Sequence, residues 1–366
     1  MNVFFRTDAS IIIGTGHVMR CLTLAEVMRE EGMNCQFICR EHDGNLLNEI
    51  QLRGFKTHAL PIPQRKNNVD TNTDIDFSYS SWLGVGWEED ARQTEAILSK
   101  KLVNWLIVDH YALDVDWEQY LRPRCDKIMV IDDLANRMHD CDMLLDQNLG
   151  RTINDYEKLI PNTIKILIGP KYALLRPEFY KWRGKSLNRR GKNSISKLII
   201  SMGGVDKDNS TNEVLKALGN CNLHREISIK VILGSNAPWL KVVKARLESM
   251  AYNYELLINV NNMARIMSDA DIAIGSPGST SWERCCLGLP SFLVIIADNQ
   301  ISIGKALESY GAAVLIGDIN NVTTRLPKYL ERHLKNPKLI DEMSRNAANI
   351  CDGFGTKRTI TEMASN

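Results

Sequence analysis

Short apolar runs alternate with longer amphipathic segments along nearly the whole chain, and the alternation restarts once near the middle. In the first half the runs are Val3–Phe5, Cys35–Cys39, Trp105–Val108, Ile128–Ile131, Met143–Leu145 and Ile164–Ile168. In the second they are Leu198–Met202, Ile227–Leu233, Glu255–Val260, Asp271–Ile274 and Ser291–Ile296. Runs this short, separated by stretches long enough for a crossover helix, predict parallel strands buried on both faces. A chain of 366 residues exceeds one typical core. Between Phe179 and Lys197 it carries Lys181, Arg183, Lys185, Arg189, Arg190 and Lys192 with no acidic residue, the composition of a solvated linker. The expected architecture is α/β: one domain over residues 1–178, a basic linker over 179–196 and a second domain over 197–366. Two such doubly wound domains are expected to face each other across a cleft. Residues 64–81, rich in Asn, Asp, Thr and Ser, read as a surface loop, and the residues from Thr323 on read as helices.

Charge and cysteine usage exclude several classes. With 45 basic and 44 acidic residues the formal charge is +1, which argues against a nucleic-acid surface as the main business. Nine scattered cysteines, with no pair of zinc-ribbon motifs, read as reduced, mostly buried small hydrophobes rather than as metal ligands. No signal-peptide pattern and no apolar run of membrane-spanning length occur, so a cytoplasmic protein without membrane insertion is expected.

Two loops carry chemistry. The first follows Val3–Phe5 and ends Gly14-Thr15-Gly16, with His17 at the first turn of a helix whose inner face is Val18, Leu22, Ala25 and Met28. Glycines admit a ligand's phosphates to the backbone, and free N–H groups at a helix start favour an anion. A histidine at that junction is either a helix-capping residue or a proton acceptor. Asp8, on the same loop, could orient the imidazole, hold a hydroxyl or simply build the turn. The second site begins with Ser201-Met202-Gly203-Gly204 after a strand, followed by the capping residues Asn209, Ser210 and Thr211. It continues with Gly275-Ser276-Pro277-Gly278-Ser279-Thr280-Ser281-Trp282-Glu283, a strand end, a small-residue loop and a helix start. Loop amides and hydroxyls there suit a diphosphate, and Glu283 is placed either to accept ribose hydroxyls or to stand as a surface acid.

That second loop resembles the nucleotide-binding loop of GT-B enzymes that use UDP-sugars, such as the glycosyltransferase that makes lipid II. More specifically, an ordered set of motifs resembles the PseG family, the UDP-2,4-diacetamido-2,4,6-trideoxy-β-L-altropyranose hydrolases of pseudaminic acid biosynthesis. The set comprises FRTDASIIIGTGHVMRCLTLA, Asp109-His110-Tyr111, Ile131-Asp132-Asp133-Leu134-Ala135-Asn136, Asp146-Gln147-Asn148 and Tyr172-Ala173-Leu174-Leu175-Arg176. It continues with Ser201-Met202-Gly203-Gly204-Val205-Asp206, the run from Gly278 to Cys286, and Asn299-Gln300. The resemblance runs from Val3 to about Gln300. It implies a GT-B-like pair of Rossmann-like domains that split a UDP-sugar with water, with inversion and with no metal or organic cofactor. It implies His17 as base and Tyr111 at the sugar, with Gly14 and Gly16 close to substrate. Gly203, Gly204, Gly278, Ser279, Thr280 and Glu283 would hold UDP. Val260 would offer its backbone to the uracil, and Asn299 and Gln300 would meet the sugar's amides. His110 reads as a packed residue, and Arg176 as either a phosphate contact or a packed arginine. The implied partner is a small-molecule nucleotide sugar; the oligomeric state is open. A GT-B glycosyltransferase or an epimerase acting on a UDP-N-acetylhexosamine-type sugar is the rival class.

Overall fold

The computed structural model describes residues 1–63, 79–161, 163–191, 195–224, 226–235 and 237–365. The first sheet has seven strands: β1 (Asn2–Thr7), β2 (Asn34–Arg40), β3 (Lys56–Leu60), β4 (Trp105–Asp109), β5 (Lys127–Ile131), β6 (Met143–Asp146) and β7 (Lys165–Ile168). All are parallel, in the order β3-β2-β1-β4-β5-β6-β7. The second sheet has β8 (Lys197–Ser201), β9 (Ser228–Leu233), β10 (Asn253–Ile258), β11 (Ile272–Gly275), β12 (Ser291–Ile295) and β13 (Ala313–Asp318). It is also parallel, ordered β10-β9-β8-β11-β12-β13. In each sheet the strand order reverses once, at β1/β4 and at β8/β11. Such switch points are where open α/β sheets gather ligands at the carboxyl ends of their strands.

Neighbouring side chains on a strand enter opposite layers, as a pleat dictates. In the second sheet Leu198 and Ile200 join one core cluster while Ile199 joins the other; Phe292 and Val294 divide from Leu293 in the same way. Such doubly covered strands must be apolar at every position, which is why they read as continuous runs. In the first unit Trp117 is fully buried among Phe4, Leu106, Ile128 and Leu144. Burial of a side chain this large stabilises the fold by about 1.5–3 kcal/mol. The first helix, Gly16–Glu30, buries Val18, Leu22, Ala25 and Met28 as expected, and Gly32 (φ 81°) ends it in the left-handed conformation that glycine tolerates.

The domain expectation needs correction in two places. The structure forms one unit from Met1–Asp146, Arg151–Ile168 and Lys357–Asn366, and another from Gln147–Gly150 and Gly169–Thr356. The supposed linker over 179–196 is largely a helix, Pro177–Arg189, of the second unit. Its arginines are not solvated. Arg183 donates to the carbonyls of Cys286, Ala348 and Cys351, and Arg189 to those of Ser268 and Ala270 and to the Asp271 carboxylate. Arg190 donates to the carbonyls of Ala270, Leu287 and Met267. Several of these carbonyls lie at the C-terminal ends of helices Met263–Asp269 and Ser279–Cys286, where no intrahelical donor remains. For the arginines the basic composition reflects helix-end bonding, while Lys181 and Lys185 are exposed as expected. Of the expected surface loop over 64–81, residues 64–78 lie outside the described residues, and Tyr79–Leu83 form a 3-10 turn. Eight of the nine cysteines are buried, Cys125 being half-buried, and none is bridged.

Candidate active site

In the first unit, Gly14 (φ 81°) closes a tight loop by donating to the Ser10 carbonyl at 2.8 Å, while the Ser10 hydroxyl accepts from Ile12 and Ile13. Helix Gly16–Glu30 follows with no side-chain cap from Thr15 and no acid in its first turn. Its positive end is therefore left for something else to meet. His17, almost buried, brings Nδ1 to 2.6 Å from Asp109 Oδ1 at the carboxyl end of β4. Arg20, one turn along the helix, grips the same carboxylate with Nε at 2.6 Å and Nη2 at 2.7 Å. Its Nη1 reaches Asp133 Oδ2 at 2.5 Å, and Asp133 also accepts from the Tyr111 hydroxyl at 2.9 Å. Burial pushes the Asp109 carboxyl up, but Arg20 and His17 together outweigh it and hold the group well below the usual carboxylate range. An ionised Asp109 accepts from Nδ1–H, which leaves the lone pair of a neutral ring on Nε2. That is the tautomer a general base needs. The imidazole stands edge-on to Tyr111 at 4.6 Å, and Trp82 stacks on Tyr111 at 5.4 Å with Tyr79 edge-on beside it.

Asp8 is not the partner of the imidazole. It is fully buried and accepts from Arg6 Nη1 at 2.7 Å and from the Arg40 backbone at 2.6 Å, with His110 Nε2 at 3.3 Å. The sequence singles out Asp8 because it shares a loop with His17, yet β4 is the spatial neighbour of β1. His110 is packed, as expected. Asp109, Arg20 and Asp133 were not legible as site residues. Asp109 ends β4 and Asp133 lies two residues past β5, which was the available signal, whereas Arg20 resembles any polar helix residue.

In the second unit the two small-residue turns follow β8 and β11, and Gly275 is in register with Ser201. Gly203 takes φ 105°. The helix Ser210–Gly219 is capped by Asp206, whose carboxylate accepts from Ser210 and Thr211, rather than by Asn209, which adopts φ 58° and makes no capping bond. Gly278, Ser279 and Thr280 open helix Ser279–Cys286, with Gly278 donating to the Ser281 hydroxyl. Glu283 lies one turn in, mostly buried. Burial pushes its carboxyl up to about 7 with help from Glu178, against Arg176 at 3.8 Å and Arg284. Arg176 also pairs with Glu178 at 2.9 Å and lies over the Phe179 ring, so it is a packed arginine. Val260 follows Asn259 (φ 51°) after β10 and packs, half-buried, against the core. Asn299 and Gln300 sit half-buried in a 3-10 turn after β12, where the Gln300 amide oxygen accepts from Ile296. The structure thus groups Gly14, Gly16, His17 and Tyr111 in the first unit, and the remaining expected binding residues, from Gly203 to Gln300, in the second.

Residues 198–357 match the glycosyltransferase family 28 C-terminal domain. The chain is 28% identical over 315 residues to the UDP-2,4-diacetamido-2,4,6-trideoxy-beta-L-altropyranose hydrolase of Campylobacter jejuni, covering 86% of this chain and 98% of that one. It is 27% identical over 308 residues to the uncharacterized protein MJ1062 of Methanocaldococcus jannaschii, covering 82% of this chain and 56% of that protein. The match thus spans little more than half of the archaeal protein's length. Two structures share the fold: MurG of Acinetobacter baumannii (TM-score 0.66, 17% identity, 100% of this chain and 99% of that one) and the UDP-GlcNAc 2-epimerase of Neisseria meningitidis bound to UDP-GlcNAc (TM-score 0.66, 13% identity, 100% of each chain). The chain is thus similar to a PseG hydrolase over most of its length, in keeping with the resemblance of its motifs, and its fold is GT-B-like.

Proposed function

We propose that the chain is an enzyme acting on UDP-sugars and, more finely, that it hydrolyses UDP-2,4-diacetamido-2,4,6-trideoxy-β-L-altropyranose with inversion. The coarse reading is supported by the hydrolase relative and the glycosyltransferase-type second unit. The observation that carries the finer reading is the His17 imidazole held at 2.6 Å by a buried, arginine-paired Asp109. Binding alone has no use for an oriented proton acceptor. Hydrolysis at an anomeric carbon does: a water on the face opposite the leaving group must lose a proton as it attacks. His17 Nε2 takes that proton, Asp109 stabilises the imidazolium formed, and Tyr111 lines the sugar beside it. UDP is already a good leaving group, so donors for the departing diphosphate matter more than a general acid. Gly203, Gly204, Gly278, Ser279 and Thr280 are assigned to it, Glu283 to the ribose and Val260 to the uracil, with Asn299 and Gln300 assigned to the sugar's amides. No metal or organic cofactor enters this reading.

A transferase is the second reading, favoured by one observation: Ile11 and Ile12, on the His17 loop, are exposed apolar residues of the kind that meet a lipid-linked acceptor. Turnover of the UDP-trideoxy sugar in oxygen-18 water separates the two. Hydrolysis puts the label on the anomeric hydroxyl of the released sugar, none in UDP, and yields first the anomer opposite to the substrate's. Label in UDP would mean attack at phosphorus. A requirement for an added acceptor would make the enzyme a transferase, and return of an isomerised UDP-sugar would make it an epimerase.

A further inference from the structure

Arg284 is an unusual residue for the place it occupies. It lies on helix Ser279–Cys286, 2% exposed, and among the described residues it makes no ion pair. Its donors go to the small-residue loop instead: Nη2 to the Ser276 carbonyl at 2.8 Å and the Ser281 hydroxyl at 3.0 Å, Nη1 toward the Thr280 hydroxyl at 3.4 Å. Nε is buried with no partner. The guanidinium also lies against Gly275, where a Cβ would come within 2.6 Å of Nη1 and 2.7 Å of the Ser201 carbonyl. The charge is therefore tucked beneath one small-residue turn and beside the start of the other. Arg190, half-buried at the end of helix Pro177–Arg189, is likewise bonded only to carbonyls and the Ser186 hydroxyl and is pushed down to about 9 by burial. The other fully buried arginines among the described residues behave differently. Arg6, Arg20 and Arg40 each face at least one carboxylate. Unpaired burial disfavours the cation, and the Arg284 guanidinium is correspondingly pushed down to about 10.

A buried cation with no carboxylate within ion-pair distance is costly; Glu283 acts on it only from further off, and an anionic ligand at the loop relieves that cost. We infer that Arg284 is the built-in counter-charge for the diphosphate of the nucleotide, acting through the 275–281 loop whose hydroxyls and carbonyl it orients. This rests on the reading that the loop takes UDP. It assigns to Arg284 a positioning and electrostatic role distinct from that of Glu283, because the guanidinium senses phosphate charge and the carboxylate senses ribose. The same charge would favour the developing negative charge on UDP as the glycosyl bond breaks.

The test compares a charged with an uncharged ligand. Calorimetry on the full chain measures UDP and uridine binding to wild type, Arg284→Met, Arg284→Lys and Glu283→Ala. The expected result is a tenfold or greater loss of UDP affinity in Arg284→Met, with uridine affinity within twofold of wild type. Arg284→Lys should regain most of the loss, and Glu283→Ala should weaken both ligands. Equal weakening of UDP and uridine in Arg284→Met would make the residue a mere loop scaffold and overturn the inference, as would unchanged UDP affinity. Wild-type protein should also release UDP to competing inorganic pyrophosphate. Absence of that competition overturns the inference even if the variants fail to fold. A protein that binds UDP in this pattern but frees no sugar keeps Arg284's role and loses hydrolysis; one that binds no UDP loses both.

Discussion

The two loop regions handle buried charge in opposite ways. Around His17 every ion is answered: Asp109 by Arg20 and the imidazole, Asp133 by Arg20 and the Tyr111 hydroxyl. Around Glu283 the ions are left short, with Arg284 unpaired and a carboxyl pushed up to about 7 by burial. A closed set of ion pairs fixes geometry, which is what an oriented base requires. An open set stores unmet electrostatic demand, which a charged ligand can answer. One region is built to be stiff before substrate arrives, the other to be completed by it.

The comparison breaks most visibly at Arg20. Arg20→Met should strip the guanidinium from buried Asp109 and half-buried Asp133, leaving them the imidazole and the Tyr111 hydroxyl, at a cost of about 3–5 kcal/mol in unfolding free energy by urea titration. A loss under 1 kcal/mol would show that the paired set is not what holds this loop. Next comes His17→Asn, which should lower kcat roughly 100-fold or more while leaving UDP affinity nearly unchanged. Near-normal turnover would remove the base from the mechanism. The smallest effect sharpens the other side. Glu283 carries its proton to about pH 7 in the fold, against an ordinary value near 4.5 in the unfolded chain. Between those values the folded state binds more protons, so its stability should fall as pH rises through that window, by about 1–3 kcal/mol. Glu283→Gln should flatten this dependence in pH-resolved melting. Ribose hydroxyls prefer the ionised carboxylate, so affinity for UDP-N-acetylglucosamine, whose diphosphate does not titrate here, should rise from pH 6 to 8. A flat profile would detach Glu283 from the nucleotide.

Most of the fold was legible because doubly covered parallel strands must be apolar throughout. The strands that escaped notice are β3 and β13, both at sheet edges. There one flank meets solvent, and Lys56 and His58 in one, Gly317 and Asp318 in the other, dilute the apolar signal. The edge strands β7 and β10 were found because Ile166–Ile168 and Leu256–Ile258 remain apolar runs. At the site, His17 and the glycines announced themselves by position, since a strand, a tight turn and a helix start occupy neighbouring residues. Asp109 could be found only as a polar strand end, and its pairing with His17 depends on β4 lying beside β1, which no local pattern encodes. The arginines are the least legible residues. Arg20, Arg183 and Arg189 look like solvated helix residues in sequence, and their bonding depends on partners far along the chain, whereas Arg284 bonds to its own loop and helix.

The assignment of Lys357–Asn366 to the first unit bears on how the protein is made. A ribosome releases β7 long before it releases those residues, because the whole of Gly169–Thr356 is synthesised in between. At roughly 5–20 residues per second the delay is on the order of tens of seconds. For that interval the nascent first unit lacks the segment whose Glu362 pairs at 2.6 Å with Lys165 on the edge strand. An unfinished sheet edge waiting that long is where a stray strand would pair. Chaperone dependence and aggregation should therefore trace to the timing of translation rather than to the strength of the finished fold.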